Sequence, residues 1–244
     1  TNKVYGDRPN LSFETGVPDP QYKHLFIEEL ETRYEGVFLT PDIASARKTT
    51  TIVLPSATID ETMSIDQCKH SIFGASKVAA DVMCQEYGRY FGMNVGVFRG
   101  GCLTGSNHSG VELHGFLSYL VKCVATDKPY KIFGYQGKQV RDNIDAEDLI
   151  EMFWHFHQSP RQGEVYNAGG GVSNSISVLE AIQKTNEITG ANYTNFTVVP
   201  ENRIGDHIWY VSDLSKFQSH YPEWGIRTCL NSIIERIAKG THEN

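Results

Sequence analysis

From residue 94 onward the chain alternates short apolar runs with longer stretches of helical period, and that alternation most narrows the fold. The runs at 94–98, 130–133, 139–144, 163–168, 196–199 and 207–211 read as strands. Between them, residues 111–126, 147–158 and a stretch ending at Thr189 carry helical spacing, the last capped by Ser175 or Ser177. Residues 212–213 begin a final helical region that includes 230–238. Ahead of all these, a helix over 74–91 would place Val78, Ala79, Val82, Met83, Glu86 and Tyr87 on one mostly apolar stripe. Strands joined by helices of this length mean an α/β domain with a largely parallel sheet.

The amino-terminal part is less patterned. Residues 1–5 read as the last turn of a buried strand stopped by Gly6 and Asp7. Residues 7–69 are broken by Pro9, Pro18, Pro20, Pro41 and Pro55. Within them, 36–58 reads as a strand or a loop, long for an irregular segment in a compact domain. The first residues do not resemble a natural start, so the chain reads as a fragment.

Composition removes several function classes. A net charge of -7 argues against general attraction to nucleic acid or an anionic membrane. An anionic small ligand would have to be held by a few local arginines. No run reaches transmembrane length and no signal peptide is visible, so the expected location is the cytoplasm. Five scattered cysteines without a CxxC pair suit a reducing compartment and argue against structural zinc. His155 and His157, at i,i+2 on a helix, point apart, so no metal is implied. The apolar residues around them, Leu149, Ile150, Phe153, Trp154 and Phe156, read as core.

Lys77 follows Gly74, Ala75 and Ser76 near the start of a helix, where a cation gains nothing from the macrodipole. It is either an ordinary solvated lysine or part of a site that something approaches closely. Gly169-Gly170-Gly171 imitates a dinucleotide loop but lacks the G-x-G-x-x-G spacing and the acidic residue about twenty positions on.

The order of the motifs weighs more than any one of them. Thr1-Asn2-Lys3-Val4-Tyr5-Gly6, Phe73-Gly74-Ala75-Ser76-Lys77, Phe98-Arg99, Gln139-Val140-Arg141-Asp142-Asn143-Ile144 and Tyr166-Asn167-Ala168-Gly169-Gly170 follow one another as they do in extended short-chain dehydrogenases/reductases. The chain resembles their nucleotide-sugar epimerases, and among these the CDP-paratose 2-epimerase (CDP-tyvelose epimerase) type. The resemblance implies a truncated Rossmann-like parallel sheet with a small carboxy-terminal α/β substrate lobe. Residues 1–110 would be the remaining NAD-binding part, carrying an insertion-like segment 36–58. Residues 111–244 would be mainly the substrate lobe, with some returning Rossmann elements. The family's glycine loop would precede Thr1.

The same resemblance implies NAD as cofactor, a nucleotide-diphosphate sugar as substrate, and epimerisation through transient oxidation to a keto-sugar. Thr1 would hold the substrate oxygen and Lys77 the nicotinamide ribose. Gly100 and Cys102 would line the cofactor, and Cys102, Thr104 and His108 the sugar, with His114 a weaker candidate. Arg141 and Arg203 would grip the diphosphate, with Asp206 beside them. From the residues alone, each arginine could equally be paired with its neighbouring aspartate, Asp142 or Asp206.

One position departs from the pattern. The family's catalytic tyrosine is Phe73, which has no ionisable group. Three readings stand: the protein binds nucleotide sugar or NAD without turnover, or His70, Cys102 or Tyr5 supplies the base, or Phe73 is core packing in a subgroup that has moved its chemistry. Related 4,6-dehydratases carry Asp-Glu after the threonine, whereas Asn2 and Lys3 stand here, so dehydration is disfavoured. The resemblance further implies a homodimer through helices 74–91 and 111–126.

Overall fold

The computed structural model describes residues 1–40, 43, 56–112, 114–202 and 205–242. Much of the 36–58 segment, including Lys48, and Arg203 lie outside them.

Most of the expected alternation is present. Strands β3 (Val95–Gly100) and β7 (Gln162–Ala168) pair in parallel. Strand β6 (Val140–Asp145) lies parallel to β4 (Cys102–Thr104) on one side and to β10 (Trp209–Tyr210) on the other. The short β8 (Ser175–Ser177) runs antiparallel to β6. Strands β5 (Tyr130–Phe133) and β9 (Phe196–Val199) form a separate parallel pair. All six β6 residues are buried, so arginine, aspartate and asparagine side chains enter the interior on one strand.

The amino-terminal region departs from expectation. Residues Asn2–Tyr5 form a 3-10 turn rather than the end of a strand, with the Thr1 hydroxyl accepting from Lys3 N at 3.4 Å. The poorly patterned region contains a helix α1 (Leu11–Thr15) and an antiparallel hairpin, β1 (Leu25–Glu29) and β2 (Tyr34–Phe38). Its inward side chains Leu25, Ile27 and Tyr34 join Val4, Tyr5, Ile59, Trp209 and Tyr210 in one core. Gly36 lies against the Trp209 indole, where a Cβ would approach to 2.7 Å.

Helix α2 (Ile72–Phe91) starts at Ser71, whose hydroxyl accepts from Gly74 N at 3.1 Å. Its buried residues are Gly74, Asp81 and Gly88 rather than the apolar stripe. A Cβ on Gly88 would run into the backbone nitrogen of Gly163, so helix and strand touch backbone to backbone. Arg99 on β3 clasps Asp81 at 2.9 and 3.0 Å and also donates to the Tyr5 hydroxyl, tying helix, strand and turn together. Val78 packs against the Tyr5 core, but the rest of the stripe faces outward, with Val82, Met83 and Tyr87 exposed.

Helix α3 (Phe116–Ala125) is shorter than expected and buries Leu117, Leu120, Val121 and Val124 in the chain's own core. It packs there with α5 (Val178–Thr189) and α7 (Leu230–His242). Its apolar face is thus covered within the chain. Ser177 is the α5 cap, in a reciprocal capping box with Glu180. Helix α4 (Ala146–Gln158) buries Met152 but leaves Ile150, Phe153 and Trp154 exposed, so these three are not the core residues expected. Phe98, Tyr166 and Phe217 fill the remaining core, which also takes in α6 (Ser215–His220). Among the described residues, no helix is long and apolar enough to cross a membrane.

Candidate active site

A cavity of about 1120 Å³ opens where the Asn2–Tyr5 turn, the start of α2, the β3–β4 loop and the end of β6 meet. Its lining includes Thr1, Phe73, Lys77, Gly100, Cys102, Thr104, His108, Arg141 and Asp206, residues drawn from five separate stretches of sequence. Apart from the substitute bases His70 and Tyr5, every expected site residue within the described part of the chain is on this wall.

At one end, the exposed Lys77 ammonium lies 5.2 Å from the centroid of the Phe73 ring. Thr1 is brought to this end by its own turn, since the Lys3 carbonyl packs at Gly74, one residue beyond Phe73. The close approach needs the glycine: a Cβ there would sit 2.9 Å from that oxygen.

At the other end, Arg141 leaves β6 and donates to the Val140 carbonyl and to Asp206 Oδ1, both at 2.7 Å. Its carboxylate partner is thus Asp206, not the adjacent Asp142, which accepts from the backbone of Gly171 and Ser212 instead. Burial alone would raise the Asp206 carboxyl, but Arg141 and Lys3 hold it well below the usual carboxylate range. Lys3 donates to Asp206 Oδ1 at 3.2 Å and to the Gly205 carbonyl at 2.9 Å. Sequence reasoning used Lys3 only to exclude dehydration and missed it as a cavity residue. Its place two residues after Thr1, in the same turn, was the available signal.

Along the middle, Thr104 Oγ1 lies 2.9 Å from Ser118 Oγ, which lies 3.3 Å from His108 Nδ1. His114, also on the wall, has its ring 5.9 Å from that of His108. Burial, with His114 adding to it, lowers the His108 pKa, so this imidazole is neutral at pH 7.

The three expected substitutes for a phenol do not suit the task. Burial pushes the Cys102 thiol up to about 12, so it stays protonated. Tyr5 is fully buried, donates to Asn167 at 2.8 Å, and is likewise pushed up to about 12 by burial. His70 lies off the cavity wall, with its Nε2 2.9 Å from the Ile65 carbonyl. The triple-glycine loop is closed as well. A Cβ at Gly169 would collide with Asp142 and one at Gly170 with the Asn143 carbonyl, so these two glycines serve close packing against β6. Among the described residues, no group of three or more His, Cys, Asp or Glu could hold a metal.

Residues 49–169 match the NAD dependent epimerase/dehydratase family. The chain is 31% identical to CDP-paratose 2-epimerase of Salmonella typhi over 97% of its own length and 62% of that protein's. Its fold resembles UDP-glucuronic acid 4-epimerase from Bacillus cereus, solved with UDP-glucuronic acid and NAD, at a TM-score of 0.65. That likeness holds at 22% identity, over 78% of this chain and 57% of the other. It also resembles dTDP-glucose 4,6-dehydratase from Bacillus anthracis in complex with NAD, at a TM-score of 0.66, 18% identity, and 79% and 58% coverage. The chain therefore spans about three fifths of the relatives it matches. Together with the parallel β3–β7 and β4–β6–β10 ladders, these likenesses make the fold Rossmann-like.

Proposed function

We propose that the cavity is the active site of an NAD-dependent nucleotide-sugar epimerase, of the CDP-paratose 2-epimerase kind. One observation carries the reading: Thr1 and Lys77 share a single cavity with Arg141 and Asp206, although they come from widely separated elements. On this reading residues 1–110 mainly serve the cofactor side and 111–244 the substrate side.

The residues present fit the reactive end of NAD. An ammonium and a hydroxyl share the cavity with the side-chain-free Gly100–Gly101 stretch, where a Cβ at Gly100 would meet Leu103 at 3.1 Å. When bound, NAD supplies the uptake and return of hydride through which a sugar carbinol is inverted. Lys77 donates to ribose hydroxyls, and Thr1 orients the sugar hydroxyl. Arg141, with the N–H groups not spent on Val140 and Asp206, binds the diphosphate. Phe73 supplies an apolar wall but no proton acceptor, so turnover through this site is slow.

The test incubates the protein with NAD and CDP-, UDP- or dTDP-hexoses in deuterated water, followed by chromatography and mass analysis of the released sugars. An epimer without solvent deuterium at the inverted carbon is expected, because the same hydrogen leaves and returns. A product lighter by one water would refute epimerisation, as would no conversion of any nucleotide sugar by the wild type and by Phe73→Tyr.

A further inference from the structure

We infer that Lys3 is a substrate-binding residue, which with Arg141 reads the charge of a phosphate-bearing ligand. The inference rests on the cavity being the nucleotide-sugar site and adds a residue to it. The Lys3 ammonium has three N–H donors. Gly205 O at 2.9 Å and Asp206 Oδ1 at 3.2 Å fix two of them, and the side chain lines the cavity. Among the described residues nothing takes the third N–H, which is available there in a direction the two anchors set.

The electrostatics favour an anion. Asp206 Oδ1 is shared by Lys3 at 3.2 Å and Arg141 at 2.7 Å, so two cations face one carboxylate and one positive charge is left over. The other groups facing Lys3 do not cancel it. Cys102 is kept protonated by burial, and His207, buried with Nε2 on the Gly6 carbonyl, is held neutral. Side-chain exposures of 30% for Lys3 and 11% for Arg141 leave both within reach of a ligand yet partly desolvated, where charge-assisted hydrogen bonds are strong. This excess of positive charge stands inside a chain whose net charge is -7.

Calorimetric titration of the full chain with CDP, CMP and cytidine tests the assignment. Lys3→Gln is expected to weaken CDP about tenfold, CMP less, and cytidine by under about twofold. Lys3→Arg, which keeps the charge, retains most of the preference for CDP over cytidine. A Lys3→Gln protein that loses affinity equally for all three would make Lys3 a merely structural clamp and overturn the inference, as would unchanged CDP binding. Should Lys3→Gln fail to fold, the wild type carries the test. Burial, opposed by Asp206, lowers the Lys3 pKa, so the CDP-to-cytidine affinity ratio falls as pH rises from neutrality toward the lysine range. A ratio flat across that range overturns the inference. Wild-type protein that binds none of the three would instead refute the reading of the cavity itself, and the inference with it.

Discussion

Phe73→Tyr is the substitution on which the chemistry turns. It adds one hydroxyl to a ring that is 57% exposed, so the fold should change by less than about 0.5 kcal/mol. The new phenol would stand beside Lys77, whose ammonium is 5.2 Å from the ring centroid. Two unit charges about 5 Å apart attract by roughly 3 kcal/mol at an effective dielectric of 20, and by under 1 kcal/mol in bulk water. Exposure favours the weaker limit, so about 1 kcal/mol is expected, which brings a phenol from about 10 to about 9. A positioned base contributes about 10²–10⁴-fold, and only a small fraction would be ionised near neutrality, so kcat should rise about 10²-fold. The gain should grow roughly tenfold per pH unit up to that pKa, because the phenolate is the active form. The assay follows nicotinamide absorbance and product sugars for both proteins across pH. A wild-type rate within threefold of Phe73→Tyr would refute the reasoning. Proton transfer would then belong to another cavity group, of which His108 is neutral at pH 7.

Other consequences follow from the same geometry. Asp81→Ala strands the buried Arg99 guanidinium, whose partners are Asp81 and Tyr5, and should cost about 3–5 kcal/mol, read as a fall in Tm of roughly 10 °C. Gly88→Ala drives a methyl into Gly163 and should cost about 1–3 kcal/mol by denaturant melt; a neutral result would mean that α2 can lift off β7 freely. Because the Asp206 carboxyl is held below its unfolded value, its contribution to stability is fully present above about pH 4 and is lost as pH falls further, so Asp206→Asn should flatten the acid limb of a Tm–pH profile. Thiol labelling followed by peptide mass analysis should find Cys229, exposed and with its pKa lowered by Ser232, modified well before the half-buried Cys102; equal rates would contradict the raised thiol pKa of Cys102.

Much of this architecture is written in local chemistry. Asp145 accepts from Glu147 N at 2.9 Å and opens α4 close to where spacing starts a helix, and Ser177 with Glu180 does the same for α5. What period cannot reveal is what a stripe will be buried against. The α2 side chains Val82, Met83 and Tyr87 form the expected stripe, yet the helix docks through Gly74, Asp81 and Gly88. Backbone contact with β7 was available only on the glycine face, and the buried Arg99–Asp81 pair fixed that choice. The hairpin escaped notice because β1 ends on Glu28 and Glu29, while β2 carries Glu35 and Gly36, so neither strand shows a clean apolar alternation. Strand β4 lay hidden in the glycine-rich stretch 100–105, where loop chemistry outweighs three residues of strand.

The site divides the same way. Thr1, Lys77 and Arg141 were legible because each sits in a motif whose neighbours also belong to it. Asp206 could be named, but its partners could not: they are Arg141, 65 positions away, and Lys3, 203 positions away. No local pattern encodes an ion pair across such distances, since it exists only once β6, the opening turn and the 205–207 loop have closed on one another. His207 shows what that closure depends on. Its ring, buried against the Gly6 carbonyl at 2.7 Å, pins the loop to the turn, and Asn10 adds a bond to the Asp206 carbonyl at 2.9 Å. The charge balance at the cavity is therefore a property of tertiary packing. A substitution at Gly6 or His207, neither of which needs to touch a ligand, should disturb anion binding as much as one at Arg141 does.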